Sequence, residues 1–430
     1  MAVTWRAVAL AAAGILAVVL LPATGTVLLW TVLVLVVCVL DALLAASPRQ
    51  VAVRREVPSS VRLTEAARST LTLTNVGRRK LRALVRDAWP PSSGADDNRH
   101  RIEVPAGDGR RVTTTLRPTR RGDAHADLVT IRTFGPLGLA GRQASLTVPG
   151  RLRVLPEFAS RKHLPSRLAR LRELDGRAAV QVRGPGTEFD SLREYVIGDD
   201  VRAIDWRATA RRADVVVRTW RPERDRRVLI VLDTSRTSAV RVQDAPRIDA
   251  SIEAALLLAA LATRAGDRVE LIVYDRTVRG RVAGQSGPRV MPAFADALAL
   301  AEPQLIEADW AGIVGQVRQR LSQRALVVLL SALDPAAVEH GLLGVVNQLT
   351  ERHQVVLASV ADPEVDALRS ARHDAAAVFD AAAAERVGLE RAAVAVRLRQ
   401  RGVEVLDALP DNLAPKLADT YLALKAAGRL

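Results

Sequence analysis

Two long apolar stretches open the chain and set its first boundary. Residues 8–21 and 26–40 carry no charge and are almost wholly hydrophobic, and the second resumes after Asp41 over 42–46. With flanking positions each reaches about 20 residues, the length a helix needs to cross a bilayer. Pro22, Ala23, Thr24 and Gly25 between them are a turn signal. So short a turn predicts a two-helix transmembrane hairpin over 1–48, with both ends on one side. From residue 49 the period drops to two. Residues 69–74, 111–116 and 128–132 alternate polar with apolar, and Pro and Gly punctuate the runs. This predicts a small antiparallel β-sandwich-like domain over 49–155. Inside it, Phe134, Gly135, Pro136, Leu137, Gly138 and Leu139 read as a turn with an apolar plug.

Residues 156–227 read as a connecting segment, with a charged, solvated helix over 161–175. Beyond it the pattern changes again. Residues 228–232 are continuously apolar and end in Asp233, as a buried parallel strand does. Further strands are predicted over 268–274, 277–282, 325–330, 354–360 and 403–406. Helices are predicted over 248–265, 290–301, 310–321 and 374–400, with another before residue 354 and a last one from Asp411. Such alternation implies an α/β doubly wound domain over 228–430.

Charge sharpens the picture. The net charge is +15, yet up to Pro48 only Arg6 and Asp41 are charged, so the excess lies downstream. Arg6 precedes the first span, Arg49, Arg54 and Arg55 follow the second, and the turn between carries no basic residue. The positive-inside rule therefore predicts a multi-pass protein of the inner (plasma) membrane, with its soluble domains cytoplasmic and anionic lipids beside them. A cleaved signal peptide fits less well, because a second apolar run follows at once. Of 62 basic residues only Lys80, Lys162, Lys416 and Lys425 are Lys, a bias that GC-rich coding produces by itself. No recognition module accompanies the charge and aromatics are 3%, so nucleic acid is not an expected partner. The single cysteine, Cys38, cannot build a disulfide framework or thiolate cluster, which fits a reducing compartment.

Unusual residues gather late in the connecting segment: Gly184, Pro185, Gly186, Thr187, Glu188 and Phe189, then Leu192, Arg193, Glu194 and Tyr195. Gly198, Asp199, Asp200, Arg202, Ile204, Asp205 and Trp206 follow. Glu188, Asp199 and Asp205 beside Arg193, Arg202 and Arg207 predict a charge network around Trp206. Trp206 is expected to be a core plug, with partner docking as the second reading and an active site a distant third.

The string Gly186, Glu188, Phe189, Arg193, Tyr195, Gly198, Asp199, Arg202, Ile204, Trp206 and Ala210 resembles the signature of the bacterial family called domain of unknown function 58 (DUF58). Members resemble this chain from end to end, including Tyr421 and Lys425 in a final helix. The resemblance implies a membrane anchor, a strand-rich segment, the signature, and a von Willebrand factor A-like domain that binds proteins. It also implies partnership with a MoxR-type AAA+ ATPase, often beside a transglutaminase-like membrane protein.

Asp233, Ser235 and Thr237 fit the Asp-x-Ser-x-Ser/Thr start of a metal-ion-dependent adhesion site, where a hard ion such as Mg²⁺ takes a carboxylate and two hydroxyls from one turn. Two further loops should contribute. Ala332 stands where similar proteins place Asp, Asp334 falls two residues late as a helix cap, and Asp309 is the only polar candidate in the other loop. The site therefore reads as degenerate, with no certain cofactor. The six histidines are scattered, and no Gly-x₄-Gly-Lys-Ser/Thr loop occurs. The expected function is a non-enzymatic adaptor or assembly protein. A metal-dependent hydrolase centred on Asp233 and a membrane-proximal nucleic-acid binder are the alternatives.

Overall fold

The two apolar runs fold as helices α1 (Trp5–Leu20) and α2 (Thr24–Leu44) in a computed structural model that describes residues 2–181, 188–197, 199–212, 214–221 and 226–430. Thr24 and Gly25 belong to α2 and Leu21 falls outside α1, so the link is residues 21–23, one residue shorter than the sequence suggests. The stretch Thr24–Gln50, whose most apolar 18 residues have mean hydropathy 2.8, is long and apolar enough to cross a membrane. Helix α1 is shorter, about 24 Å at 1.5 Å per residue. The two pack on each other: Trp30 Nε1 donates to the Leu10 carbonyl at 3.2 Å. Gly14 makes room for that indole, since a Cβ there would lie 2.3 Å from Trp30 Cδ1.

The chain divides into two units, Met1–Glu157 and Phe158–Leu430. In the first, ten strands follow: β1 (Ala2–Val3), β2 (Val51–Glu56), β3 (Ser60–Arg62), β4 (Ala67–Asn75), β5 (Leu81–Asp87), β6 (Ala95–Asp96), β7 (Arg99–Val104), β8 (Gly109–Leu116), β9 (Gly122–Phe134) and β10 (Ala140–Leu155). One sheet runs β1-β10-β9-β5-β7, with β3 added to β10, and the other runs β2-β4-β8-β6. Strand pleating accounts for the alternation in the sequence: β4 turns Ala67, Ser69, Leu71, Leu73 and Asn75 inward. The expected β-rich region after an apolar helix is therefore present.

Two polar features of this unit are invisible to hydrophobic patterning. Arg55 of β2 pairs with Asp87 of β5 at 2.7 Å, both side chains buried. Asp87 also accepts from Ser69 Oγ (2.8 Å) and Trp89 Nε1 (3.0 Å), while Arg55 lies 5.5 Å from the Trp89 ring centroid. Arg55 further donates to the carbonyls of Ala126 and Val148, so one side chain ties the two sheets together.

The second feature is Asp41, the lone acid of the apolar run. It is buried, and its carboxylate accepts the backbone N–H of Leu137 (2.8 Å), Leu139 (2.7 Å) and Ala140 (2.9 Å) in the β9–β10 turn. That turn was expected to carry an apolar plug. Instead Leu137 is exposed, and the turn's backbone is a cradle for the carboxylate. Gly135 is required there, because a Cβ would sit 2.2 Å from the Asp41 carbonyl oxygen. Arg79 and Arg142 donate to the α2 carbonyls of Leu43 (2.7 Å) and Ala42 (3.0 Å), and Thr4, just before α1, donates to Gly138 O (2.7 Å). The outer ends of both helices are thus fixed at one turn.

The second unit begins with α3 (Leu164–Gln181), then β11 (Glu188–Glu194), α4 (Trp206–Arg212), β12 (Val216–Arg221) and β13 (Arg227–Asp233). A small hairpin of β14 (Arg241–Val242) and β15 (Ala245–Pro246) leads to α5 (Arg247–Arg264), β16 (Arg268–Tyr274), β17 (Val278–Val282), α6 (Val290–Ala299), α7 (Trp310–Arg320) and β18 (Leu326–Leu330). Short helices α8 (Pro335–Ala337), α9 (Leu343–Val345) and α10 (Asn347–Thr350) surround a π turn at Val338–Leu342. Then come β19 (Gln354–Val360), α11 (Pro363–Ser370), α12 (Ala375–Gln400), β20 (Val403–Ala408) and α13 (Pro410–Ala426).

The sheet order is β17-β16-β13-β18-β19-β20, parallel except at β17. Helices cover both faces, which is why β13 is apolar throughout. Val228, Ile230 and Leu232 pack toward α5, α6 and α13, whereas Leu229 and Val231 pack toward α7 and the broken helix. Helix α3 departs from expectation. It is no solvated connector: Leu164, Leu168, Leu171 and Leu174 form a helical stripe on the core of α5 and α13, and Arg167 pairs with Asp419 at 2.8 Å. The last helix is held by Asp267, which accepts Tyr421 OH (2.5 Å) and Lys425 Nζ (2.9 Å).

Candidate functional site

Parallel sheets place their ligands beyond the carboxyl ends of the strands. Asp233 ends the central strand β13 and is 2% exposed. Its Oδ1 accepts Ser235 N–H at 2.8 Å, its Oδ2 accepts Ser331 Oγ at 2.6 Å, and its carbonyl accepts Ser238 Oγ at 2.7 Å. Ser235 Oγ and Thr237 Oγ1 lie 3.2 Å apart. The turn therefore brings Asp233, Ser235 and Thr237 together. Burial pushes the Asp233 carboxyl above its ordinary pKa, against the hydrogen bonds from Ser331 and Ser235. The neighbouring Asp275 is opposite in sign: burial also acts upward, but Arg279 and the N–H groups of Arg276 and Thr277 outweigh it and hold it low.

A hard divalent ion fits this set poorly. It offers one carboxylate and hydroxyls, and both carboxylate oxygens of Asp233 already accept hydrogen bonds, from Ser235 N–H and Ser331 Oγ, so water would have to supply most of the octahedron around Mg²⁺. Asp334 caps α8 through Ala337 N–H (2.9 Å) and Asp309 caps α7 through Gly312 N–H (2.9 Å), so neither carboxylate is spare. Ala332 is buried and contributes no ligand. Among the described residues no group of three or more His, Cys, Asp or Glu side chains converges. A cavity of about 300 Å³ lies over Asp233, lined also by Arg236, Glu307, Trp310 and His340. Arg236 and Glu307 form an ion pair across it.

The signature cluster is organised by the antiparallel β11–β12 hairpin and by α4. Arg193 grips Asp199 through two N–H groups at 2.7 and 2.5 Å, and Asp199 also accepts Val196 N–H at 3.0 Å. Asp205 caps α4, accepting Ala208 N–H (3.0 Å) and Arg207 N–H (3.1 Å), and takes Arg218 Nε at 2.9 Å. The Ala208 N–H first, then Arg218, hold its carboxyl below the usual range. The partners thus differ from expectation. Arg218, which the spacing gave no reason to choose, replaces Arg202 and Arg207, whose backbone N–H groups serve Asp200 and Asp205 instead.

Trp206 is the main correction. It is not a core plug: it is 68% exposed at the start of α4. The inward positions are taken by Val216 and Val217, with Ile204 bridged to Val217. Ile197 is 96% exposed, and Val196 and Val201 are exposed as well. Tyr195 is half-buried and its N–H bonds Val215 O at 2.8 Å. Gly184 through Thr187 and Gly198 lie outside the described residues, as do the side chains of Glu188 and Phe189.

Residues 191–403 match the family model "Protein of unknown function DUF58". The DUF58 match takes in most of the signature and nearly all of the α/β sheet. The uncharacterized protein Rv1480 of Mycobacterium tuberculosis is 25% identical over 190 residues, 42% of this chain and 57% of that protein. The uncharacterized protein Mb1516 of Mycobacterium bovis is similar to the same extent. The chain thus spans 57% of the length of these relatives. Among solved structures, the CARDB domain of the PF1109 protein of Pyrococcus furiosus is 13% identical, with 25% of this chain and 91% of that one covered. Its TM-score is 0.17.

Proposed function

We propose that this chain is a non-enzymatic, membrane-anchored adaptor that docks a MoxR-type AAA+ ATPase on the apolar face around Trp206. The observation that carries this reading is the exposure of Val196, Ile197, Val201 and Trp206, four apolar side chains in the one segment between β11 and β12, which Arg193–Asp199 and Arg218–Asp205 brace. Exposed apolar groups contribute about 25 cal/mol per Å² when a partner covers them. Tryptophan is also over-represented among interface hot spots. The choice of ATPase rests on the DUF58 resemblance, as does a transglutaminase-like membrane protein as a further partner. Without a phosphate-binding loop in the sequence, nucleotide hydrolysis belongs to the partner.

The anchor is a two-helix hairpin in this reading. Support comes from the Trp30–Gly14 packing, the apolar side chains that both helices expose, and the single turn that holds both outer ends. The basic residues near those ends favour a cytoplasmic side for the soluble units. The parallel sheet with Asp233, Ser235 and Thr237 at its centre supports a von Willebrand factor A-like domain over 228–430, with at most a weak Mg²⁺ site. Affinity purification of the full-length protein from native membranes tests the adaptor reading. The ATPase should co-purify with wild type and be lost from Trp206→Ala at an unchanged melting temperature. Retention of the ATPase by that variant would refute the docking assignment.

A further inference from the structure

Beside the cavity over Asp233 lies a larger one, about 510 Å³, that shares Arg236 and Thr237 with it. It opens at the carboxyl ends of β13, β18, β19 and β20, through Thr237, Asp334, Asp362 and Asp407, and α12 closes its far side. Its volume falls in the range of small-molecule sites. The strand order reverses its direction of growth between β13 and β18, so the cavity flanks the crevice where doubly wound sheets bind ligands.

The lining is mixed in a specific way. Val240, Leu333, Pro335 and Val365 supply apolar wall, and five arginines supply charge: Arg236, Arg247, Arg369, Arg391 and Arg399. Three of these are already paired, Arg236 with Glu307, Arg369 with Glu385 and Arg391 with Asp407. The lining carboxylates are likewise engaged. Asp334 and Asp362 cap α8 and α11, Asp366 lies 3.6 Å from Arg369, and Asp407 holds Arg391 at 2.7 Å.

Arg247 and Arg399 are different. Among the described residues neither makes an ion pair; Arg247 Nη1 donates to Thr237 O at 2.9 Å and Arg399 Nη2 to Val405 O at 3.2 Å. Arg247 Nε is buried with no hydrogen-bond partner. A buried guanidinium N–H without an acceptor is costly, and guanidinium remains charged at any physiological pH. Burial first, then the nearby Arg391, depress the Arg247 pKa, while Asp362, Asp407 and Asp334 act the other way. The groups that face Arg247 are thus the cavity's own.

We propose that this cavity binds a small organic oxyanion, a phosphate ester or carboxylate, whose charged end is held by Arg247 and whose apolar body lies along Val240, Leu333 and Val365. Planar guanidinium groups recognise such oxyanions through paired N–H···O bonds. Arg247 is the specificity group and Arg399 the second free charge.

The test uses the full-length protein in detergent, with phenyl phosphate, benzoate and inorganic phosphate as probes in isothermal titration and thermal-shift measurements. Phenyl phosphate or benzoate should bind more tightly than inorganic phosphate, because only they fill the apolar wall. Arg247→Gln should weaken binding about tenfold or more, as loss of a charge-assisted bond does, whereas Arg247→Lys should retain part of it. Arg386→Gln, on the exposed side of α12 beside Glu390, should change nothing. Circular dichroism verifies that each variant is folded; if Arg247→Gln unfolds, the Arg247→Lys and Arg399→Gln affinities decide. Absence of binding by all three probes at 10-fold excess over a millimolar dissociation constant (about 10 mM, at the weak end of specific affinity) would overturn the proposal. So would equal affinity in the folded Arg247 variants and wild type.

Discussion

Replacing Asp41 tests how the apolar helices are coupled to the β-rich unit. Its carboxylate takes three backbone N–H groups at 2.7–2.9 Å and is 1% exposed. Asp41→Asn keeps the volume. Its amide oxygen can retain the two donors shared by Oδ2, from Leu139 and Ala140, but its NH₂ then faces the N–H of Leu137. One bond is lost, one donor is left unmatched, and two bonds lose their charge assistance. With hydrogen bonds to charged groups worth about 1.5–3 kcal/mol and neutral ones about 1, local opening becomes easier by about 2–4 kcal/mol. Hydrogen exchange by mass spectrometry on the peptide covering 134–142, in detergent or nanodiscs, reads this directly. Exchange should accelerate about thirtyfold or more, at 1.4 kcal/mol per factor of ten. Asp41→Ala should go further. Exchange within twofold of wild type in both variants would refute the claim that this carboxylate fastens α2 to the β9–β10 turn.

Three further outcomes are expected. Asp87→Ala leaves Arg55 buried and uncompensated, so it should cost about 3–5 kcal/mol and lower the yield of folded protein; a melting curve matching wild type would contradict the two-sheet tie. Titration of the full-length protein with Mg²⁺ should give millimolar or no binding, because too few hard ligands surround Asp233; micromolar affinity abolished by Asp233→Ala would show the site to be complete. A reporter fused after Leu430 should fluoresce in the cytoplasm and be silent as a periplasmic phosphatase, and strong phosphatase activity would reverse the orientation.

Local patterns were legible in the sequence wherever one residue's environment repeats along an element. The unbroken apolar run of β13 announced a strand covered on both faces, and the period-two stretch of β4 announced one covered on a single face. The Leu stripe of α3 was equally present, but its many charges suggested solvent on all sides. Helix α11, eight residues with charged ends, offered too little periodicity to detect. Partnerships across long separations were not legible at all. Asp41 looked like an interruption because its three donors lie 96–99 residues away. Trp206 looked like core because large aromatics usually are. Its exposure depends on Val216 and Val217 filling the inward positions first, which only the hairpin's register decides. The Asp-x-Ser-x-Thr turn was visible as a local pattern, while the acceptor role of Asp233 toward Ser331, across a neighbouring strand, needed the sheet.

The central claim is that the apolar face around Trp206 is where a partner sits. A photo-crosslinking amino acid placed at position 206 of the full-length protein, irradiated in intact cells, tests it most directly. The account predicts one dominant adduct with an AAA+ ATPase, which disappears when the probe is moved to the exposed position Arg386 on α12. Efficient incorporation and normal melting with adducts only to lipid, or none at all, would contradict it.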